Sequence, residues 1–378
     1  MIKTLYINIG EPSLSGATST IVELIKRSEN FSIKFGIIEF LGKGERGLVE
    51  NYPELKEHLI YYELIRKNYD PKTLFGKSYR FLYKSIALRS IVSKVGKDFD
   101  LIVGYSYRSK SVNLIFAEPF IQFPLYKFLL SLIKMSNPIE GTVWFINTLN
   151  YYSRIKKSGK NICAGSILKD KLEKDYGVTC IPLEPPAGVD IDQIRRATES
   201  ATTKYDAIHV ARLGYMKGTP DTIYVMRKLK ELGYNSFALI GPQDYRFNLN
   251  DYLNDTDNIE YLGKIEDKYK LYNLMSSSKI MIYPTYIDSF GIVVAETLAS
   301  GTPVVTYNIP AMQKYFGDCE AVKLAEIGNK EDLLRKALIL LNDYEYYKKV
   351  AVDCGTRYSW DNVAYSFSQI VKNILNYN

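Results

Sequence analysis

The sequence predicts an α/β protein with two doubly wound, parallel-sheet domains, and three observations support this prediction. The chain has 378 residues, whereas one domain usually has about 100–200. From Thr4 onward, short β-branched runs alternate with segments of helical period, which is the pattern of a parallel sheet covered by helices. The prolines and glycine of residues 182–188 predict a connector. We therefore place one domain at residues 1–186 and the other at 187–357.

The predicted elements of the first domain follow from hydrophobic periodicity. Strands are predicted near residues 4–9, 33–39, 101–104 and 142–146, and helices near 17–28, 52–68, 79–95 and 167–175. Polar residues and a proline interrupt the apolar segment 120–135, which falls short of the about 20 residues that a membrane span requires. We predict core helices for this segment and for 79–89, and a position in a membrane interface is the weaker alternative.

The second domain restarts the alternation of strands and helices. Strands are predicted near residues 206–211, 236–240, 259–262, 279–283 and 303–307, and a helix at 291–300. Two such domains that face each other leave a cleft, and ligands of open α/β sheets bind beyond the carboxyl ends of the strands. Candidate site residues should therefore follow strands.

The positive charge is concentrated in the first half of the chain. Residues 1–185 hold 27 Lys and Arg against 18 Asp and Glu, a net charge of +9, whereas residues 186–378 have a net charge of −2. This asymmetry suits an anionic partner such as a phosphorylated lipid, a membrane surface or nucleic acid. A solvated basic face is an equally good explanation.

The four cysteines, Cys163, Cys180, Cys319 and Cys354, have no CxxC spacing, and the chain has two histidines. Neither a disulfide framework nor a zinc site is therefore expected, and a reducing cytoplasm fits best. The N-terminus leads directly into a predicted strand without the pattern of a secretory signal.

Two carboxylates lie eight residues apart, at Asp288 and Glu296, across a glycine-opened apolar turn. Both follow the predicted strand 279–283. On the predicted helix, the neighbours of Glu296 at three and four residues are apolar or small. A carboxylate buried there needs a hydroxyl or cationic partner, because unpaired burial is costly. Alternatively, Asp288 or Ser289 caps the helix and Glu296 is solvated.

A second group of residues lies in the segment 208–220, where Arg212 and Lys217 occupy a loop between a strand and a helix. Thr219 suits the N-cap of that helix and Pro220 its first position. A guanidinium, an ammonium and a helix N-terminus in one crevice form an anion site suited to a diphosphate. Taken alone, the two cations are equally well explained as solvated loop residues.

Other short motifs are weaker. Residues 42–47 match GxGxxG, but they follow the second strand and carry three charges, so we predict a surface loop and not a dinucleotide site. Three DxD matches, at 98–100, 190–192 and 255–257, fall at turns or helix starts, where aspartate is favoured. We expect no metal, because cations already face the predicted diphosphate.

Together these motifs resemble the retaining glycosyltransferases of family four, whose GT-B architecture has two Rossmann-like domains that face each other across a cleft. The resemblance runs through nearly all of the second half and includes that family's signature of two acids separated by seven residues. It is carried by residues 186–190, 211–218, 239–241, 261–263 and 288–305, with a thinner likeness at 15–16 and 165–166.

The resemblance implies roles for the candidate residues. Arg212 and Lys217 would bind the donor diphosphate and stabilise the leaving nucleoside diphosphate. Glu296 would accept hydrogen bonds from ribose hydroxyls, and Asp288 would hold the transferred sugar. The other substrate-binding residues that the resemblance implies are Ser15, Gly16, Gly241, Ile265, Ser289, Phe290, Gly291 and Ile292.

The chain departs from the family pattern in two places that matter. Asp288 stands where the family usually has glutamate, so its carboxylate is one methylene further back. The family often has a histidine near the position of Tyr105, whereas the histidines here are His58 and His209. His209 lies in a predicted strand and is expected in the core. A histidine base is therefore not expected, and the roles of Tyr105 and Ser106 stay open.

We therefore expect a cytoplasmic, metal-independent retaining glycosyltransferase without a cofactor, which transfers a sugar from a UDP- or GDP-sugar to a glycan or lipid-linked acceptor. Domain 1–186 would bind the acceptor and domain 187–357 the donor, while 358–378 would pack back on the first domain, as the terminal helix of the family does. We expect peripheral membrane contact through the basic first domain, and we do not expect a nucleic-acid partner. The alternatives are a catalytically inactive nucleotide- or glycan-binding scaffold and an NAD-dependent oxidoreductase.

Overall fold

The computed structural model describes residues 1–9, 16–70, 73, 76, 93–104, 111–116, 149, 151–153, 155–157, 160–244 and 247–376. The chain divides into two compact units, one of Met1–Pro186 with Trp360–Asn378 and one of Ala187–Ser359. The division falls within the proline- and glycine-containing segment 182–188. Each unit has its own parallel sheet, so the predicted α/β fold with two parallel-sheet domains is confirmed.

The sheet of the first unit has the strand order β3-β2-β1-β4-β5-β6-β7 among the described residues. All neighbouring strands are parallel. The strands are β1 (Ile2–Ile9), β2 (Ile33–Leu41), β3 (Leu59–Arg66), β4 (Leu101–Val103), β5 (Ser111–Ile115), β6 (Asn161–Ala164) and β7 (Ile181–Leu183). The helices are Gly16–Arg27, Leu48–Asn51, Gly165–Tyr176 and Trp360–Leu375.

Several predictions for the first unit were wrong or incomplete. Residues 52–68 were predicted as a helix, but they form a 3-10 helix at Pro53–His58 and then strand β3. The aromatic and branched residues of β3 favour an extended chain, and its place at the sheet edge leaves it half exposed, so it lacks a continuous apolar run. Strands β5, β6 and β7 were not predicted. The predicted strand 142–146, the segment 120–135 and most of the predicted helix 79–95 lie outside the described residues.

The sheet of the second unit has the strand order β10-β9-β8-β11-β12-β13. Its strands are β8 (Tyr205–Val210), β9 (Phe237–Ile240), β10 (Ile259–Gly263), β11 (Ser278–Tyr283), β12 (Val304–Tyr307) and β13 (Val322–Ala325). Its helices are Ile191–Thr198, Thr219–Glu231, Lys268–Ser276, Ile292–Ala299, Pro310–Phe316, Lys330–Asn342 and Tyr344–Thr356. The five strands predicted here are present and β13 was missed. The strand order reverses beside β8, so a ligand crevice is expected at the carboxyl ends of β8 and β11.

The last helix, Trp360–Leu375, belongs to the first unit. Its buried Phe367 stacks on Phe35 of β2 with ring centroids 6.1 Å apart, and Tyr365 meets the edge of Phe31 at 5.6 Å. The alternation of apolar and polar residues along this helix gives it one buried stripe, so the end of the chain completes the first core.

The four cysteines correct an expectation from the sequence. Cys163 is bonded to Cys180 and Cys319 to Cys354, each within one unit. The partners are 17 and 35 residues apart in the chain, so the absence of CxxC spacing does not argue against these disulfides. Disulfides are uncommon in a reducing cytoplasm outside hyperthermophiles, which removes one argument for that compartment. Among the described residues, no helix is long and apolar enough to cross a membrane.

The GxGxxG match at 42–47 is a loop between β2 and a short helix, but it is not simply a surface loop. Glu45 is buried, and its carboxylate accepts a hydrogen bond from the Gly42 amide at 2.7 Å. Glu39 of β2 is also buried and accepts from the amide of Leu48 at 2.6 Å. A Cβ on Gly47 would lie 2.4 Å from the Glu39 carboxylate. Two buried carboxylates therefore accept hydrogen bonds from amides in this loop and at the start of the short helix.

Candidate functional site

The candidate site lies at the carboxyl ends of β8 and β11, which are neighbouring parallel strands. The loop after β8, residues 211–218, meets the loop after β11, residues 284–291. The amide of Tyr286 donates to the carbonyl of Met216 at 3.0 Å. This contact brings together two segments about 70 residues apart in the chain, each carrying predicted site residues.

Gly218 sets the shape of the first loop. Its φ is +65°, and a Cβ there would lie 2.1 Å from the carbonyl oxygen of Pro284, so this position requires glycine. Gly218 is also the N-cap of helix Thr219–Glu231. The prediction that Thr219 is the N-cap was therefore wrong by one residue. The Thr219 hydroxyl instead accepts a hydrogen bond from the Gly214 amide at 2.9 Å and closes the loop on itself.

Lys217 and Asp288 form an ion pair across the two loops. The Lys217 Nζ lies 2.9 Å from Asp288 Oδ2 and also donates to the carbonyl of Ile287 at 3.0 Å. The hydroxyl of buried Tyr283 donates to the same carboxylate oxygen at 2.8 Å. Burial alone would raise the pKa of Asp288, but the Lys217 ammonium and these donors hold it below its usual value. Burial and the Asp288 carboxylate raise the pKa of Tyr283 well above its ordinary value.

The second oxygen of Asp288 is also occupied. Asp288 Oδ1 accepts from the amide of Ser289 at 2.9 Å and from the amide of Phe290 at 3.3 Å. The carboxylate therefore has four protein donors, which matches its acceptor capacity. In this state Asp288 orients Lys217 and the turn that follows it. To hold a transferred sugar as well, it would have to exchange one of these donors.

Arg212 is exposed and lies beside Lys217. Within the part of the chain that the structure describes, no side chain forms an ion pair with its guanidinium. The two cations line a pocket of about 680 Å³ together with Gly214, Tyr215, Met216, Asp244 and Phe247. A guanidinium and an ammonium at one pocket wall can together neutralise an anion with several oxygens.

Glu296 is buried, as its apolar helix face predicts, and it has the partners that such burial requires. Its Oε1 accepts from the Lys268 ammonium at 2.6 Å and from the Tyr272 hydroxyl at 3.0 Å. Burial and the Glu296 carboxylate raise the pKa of Tyr272. None of the described residues donates to Oε2. One oxygen of this carboxylate is therefore held by the protein, and the other can accept a further hydrogen bond.

Gly291 and Phe290 lie between the two acids. Gly291 is the N-cap of helix Ile292–Ala299 with φ +93°, and a Cβ there would lie 2.5 Å from the methyl of Met312. The Phe290 side chain is buried against Tyr315, with ring centroids 5.0 Å apart. The Phe290 ring is thus a core group.

The remaining predicted site residues lie in different environments. Gly241 has φ +133°, and a Cβ there would overlap the Ala211 carbonyl at 1.7 Å, so glycine lets two strand ends approach closely. Ile265, Ser289 and Ile292 are at least partly exposed. Ser15 lies outside the described residues. Gly16 begins the first helix of the other unit.

Three residues of the site were missed from the sequence: Tyr283, Lys268 and Tyr272. Tyr283 ends a predicted strand, and its position there was the available signal. Lys268 and Tyr272 lie one helical turn apart on helix Lys268–Ser276, so they present their side chains to the same neighbour. Their common target, Glu296, follows more than twenty residues later, and no local pattern predicts that contact.

The DxD matches at 190–192 and 255–257 are explained by local structure. Asp190 caps helix Ile191–Thr198 by accepting from the Gln193 amide at 3.0 Å, and Asp257 pairs with Arg227 at 2.7 Å. In the described part of the chain, no three His, Cys, Asp or Glu side chains gather as a metal site.

Comparison with known proteins gives a family match in the second unit. Residues 190–352 match the model of the family described as glycosyl transferases group 1. The chain is 32% identical over 119 residues to the phosphatidyl-myo-inositol mannosyltransferase of Mycobacterium leprae, and the alignment covers 31% of each protein. The chain spans 42% of the length of another curated relative. It thus covers less than half of either protein.

Solved structures match over the whole chain. Sucrose-phosphate synthase from Thermosynechococcus elongatus has a TM-score of 0.68 at 14% identity, with 100% of both chains covered. HepE from Anabaena, in complex with UDP and glucose, has a TM-score of 0.63 at 14% identity, with 99% of this chain and 100% of that chain covered. These likenesses show the GT-B fold.

Proposed function

Because the chain is a member of the glycosyl transferases group 1, with the match at residues 190–352, we propose that it transfers a sugar from a nucleoside diphosphate donor to an acceptor hydroxyl. The donor would be a UDP- or GDP-sugar, and the acceptor a glycan or a lipid-linked sugar. We further propose that the anomeric configuration is retained and that no metal or cofactor takes part. A peripheral position at the cytoplasmic face of a membrane belongs to the same proposal.

The observation that carries the proposal is the pairing of Arg212 and Lys217 at the wall of one pocket. Cleavage of a sugar–phosphate bond leaves negative charge on the departing diphosphate, and fixed cations stabilise that charge most strongly in the transition state. A guanidinium can hold two phosphate oxygens at once, while an ammonium acts as a point charge. The two cations thus supply the charge that a divalent metal would otherwise provide.

The Asp288 pair prepares Lys217 for this role. An ammonium has three hydrogens, and Lys217 donates to Asp288 and to the Ile287 carbonyl, which leaves one hydrogen for a phosphate oxygen. A phosphate oxygen can take the third hydrogen without breaking the ion pair. Asp288 therefore positions Lys217, and a contact between Asp288 and the transferred sugar is a second proposed role.

Glu296 is proposed to bind the ribose of the donor. Lys268 and Tyr272 fix one carboxylate oxygen, so the free Oε2 has a defined direction from which to accept a ribose hydroxyl. The UDP and glucose in the Anabaena structure support a uridine nucleotide. The name of the Mycobacterium leprae relative supports a mannosyl donor and a lipid acceptor.

Isothermal titration calorimetry with UDP, GDP, ADP and NADH tests the proposal. We expect UDP or GDP to bind, and the Arg212→Ala substitution to weaken this binding about 10- to 100-fold, since a charged hydrogen bond contributes about 1.5–3 kcal/mol. If no nucleoside diphosphate binds at millimolar concentration, the donor site is wrong. Binding of NADH instead would support the oxidoreductase alternative.

Turnover separates an enzyme from an inactive scaffold. Release of UDP or GDP from the matching sugar nucleotide, measured with a membrane-lipid extract as the source of acceptor, is expected for the wild type and not for Arg212→Ala. Proton NMR of the glycosylated product then reports its anomeric configuration. An inverted product would contradict retention and leave the donor site intact.

A further inference from the structure

His209 lies beneath the candidate site, in strand β8. It occupies the position before the last residue of β8 and is fully buried. Its ring lies 6.3 Å from that of Tyr283, whose hydroxyl donates to Asp288. A buried imidazole that served only packing would be replaceable by an apolar ring, but both nitrogens of His209 have polar partners.

The hydrogen bonds around His209 define its tautomer. The Thr219 hydroxyl accepts from the Gly214 amide at 2.9 Å, so its own hydrogen is free to be donated to His209 Nε2, which lies 3.2 Å away. Nε2 therefore carries a lone pair, and Nδ1 carries the hydrogen. Nδ1 donates to the carbonyl of Ile282 at 2.8 Å. The hydroxyl of Thr222, which itself donates to the Gly218 carbonyl, lies 3.3 Å from Nδ1.

These bonds join the two loops of the site through one ring. On the Nε2 side, Thr219 connects the ring to Gly214, three residues before Lys217 in the same loop. On the Nδ1 side, Ile282 belongs to β11, six residues before Asp288. The relay from Gly214 through Thr219 and His209 to Ile282 therefore fixes the distance between the backbones that carry the Lys217–Asp288 pair.

We propose that His209 is a positioning residue for the donor site, which in its neutral Nδ1-protonated form locks the Lys217 loop onto β11. The consequence for nucleotide binding rests on the proposed function, whereas the effect on loop order does not. His209 touches no ligand in this proposal and acts through Lys217. The ring also stays uncharged beside a cation, because burial and the Lys217 ammonium lower its pKa to about 4.

Four variants test the proposal. His209→Phe keeps the ring and removes both hydrogen bonds, and Thr219→Val cuts the relay at its other end with little change in shape. His209→Gln keeps an acceptor for Thr219 and serves as the conservative rescue. Thr302→Val is the matched control, because its buried hydroxyl donates to the Met275 carbonyl at 2.6 Å, at the opposite end of the sheet.

Hydrogen–deuterium exchange of residues 212–218 is the readout that does not depend on a ligand. We expect about tenfold faster exchange in His209→Phe and in Thr219→Val, which is the loss of about one net hydrogen bond. His209→Gln should stay within about threefold of the wild type. Thr302→Val should lower the melting temperature without changing exchange in this segment. If His209→Phe does not fold, Thr219→Val alone carries the test.

Calorimetric titration with whichever of UDP and GDP the wild type binds gives the second readout. We expect the Kd to rise about tenfold in His209→Phe and Thr219→Val, and the double variant to be no weaker than the worse single one, because both cut the same relay. Unchanged exchange and Kd in both variants would overturn the role of His209. Faster exchange in a protein that binds no nucleotide would uphold the relay and refute the proposed function.

Discussion

Replacing Lys217 by methionine separates the structural role of the Lys217–Asp288 pair from its role in binding. The substitution keeps most of the side-chain volume and removes the charge that faces Asp288. The carboxylate would then be left with the Tyr283 hydroxyl and two backbone amides, and without a cation. We expect a loss of stability and, independently, a loss of nucleoside diphosphate binding.

The size of the stability loss follows from the geometry. At the Nζ–Oδ2 distance of 2.9 Å, Coulomb attraction is about 1.4 kcal/mol in bulk water and about 6 kcal/mol at an effective dielectric constant of about 20. The side chains of Lys217 and Asp288 are 26% and 16% exposed, so solvent screens the pair partly. Breaking a fully buried pair costs about 3–5 kcal/mol, and an exposed pair contributes about 0–1 kcal/mol. We therefore expect a loss of about 2 kcal/mol in the free energy of unfolding.

The chain offers a matched control at the other end of the same two strands. Lys279 of β11 pairs with Asp206 of β8 at 2.8 Å, with side-chain exposures of 29% and 15%. Lys279→Met should therefore cost a similar free energy in urea unfolding at pH 7. It should leave the Kd for UDP or GDP unchanged, whereas Lys217→Met should raise that Kd about 10- to 100-fold.

A second substitution tests the cause of the instability. In Lys217→Met with Asp288→Asn, the uncompensated carboxylate is gone, so at least half of the lost stability should return while nucleotide binding stays weak. A Lys217→Met protein as stable as the wild type would refute the argument from burial. A double variant as unstable as the single one would show that lost packing, and not the unpaired charge, is responsible.

Three further predictions concern other parts of the site. Glu296→Gln should raise the Kd for UDP or GDP about tenfold but leave the Kd for inorganic pyrophosphate unchanged, because pyrophosphate has no ribose. Equal losses of affinity for both ligands in calorimetry would contradict the ribose role. Gly218→Ala should lower the free energy of unfolding by about 3 kcal/mol in urea titration, since it combines a left-handed backbone with a Cβ 2.1 Å from the Pro284 carbonyl. The pKa of His209 is lowered from about 6.5 in the unfolded chain to about 4. Its stabilising contribution is therefore present above pH 6.5 and is lost between about pH 6.5 and 4. Urea titrations over that range should show a loss of about 3 kcal/mol in the free energy of unfolding that is absent from His209→Phe.

Most of the second sheet could be predicted from the sequence because β8, β9, β11 and β12 are short, almost fully buried apolar runs. The predicted strand 279–283 begins one residue later than β11 and ends at the same residue, because Pro284 stops the strand. The first sheet gave weaker signals. Strand β3 is an edge strand without a fully buried face, and β6 and β7 have four and three residues. Short strands of that kind have too few residues to show a period.

The convergence of Arg212, Lys217, Asp288 and Glu296 in one unit could also be predicted, because carboxyl ends of neighbouring parallel strands meet at one edge. Their pairing could not. Lys217 and Asp288 are 71 residues apart, and which rotamer joins them depends on the Gly218 turn against Pro284. The disulfides were missed for the same reason, since their partners, 17 and 35 residues apart, meet only once each unit has folded.

The charges of the site lead to an order of events for donor binding. Lys217 is balanced by Asp288 and Lys268 by Glu296, so each acid already has a cation. Arg212 is exposed, and among the described residues it has no carboxylate partner. The first attraction for an incoming diphosphate therefore comes from Arg212, and Lys217 adds its third hydrogen once a phosphate oxygen is within reach. If so, Arg212→Ala should slow association, with an effect that falls as salt rises, whereas Lys217→Met should mainly speed dissociation. Stopped-flow binding of a fluorescent nucleoside diphosphate measures the two rates, and an equal effect of both substitutions on association would contradict this order.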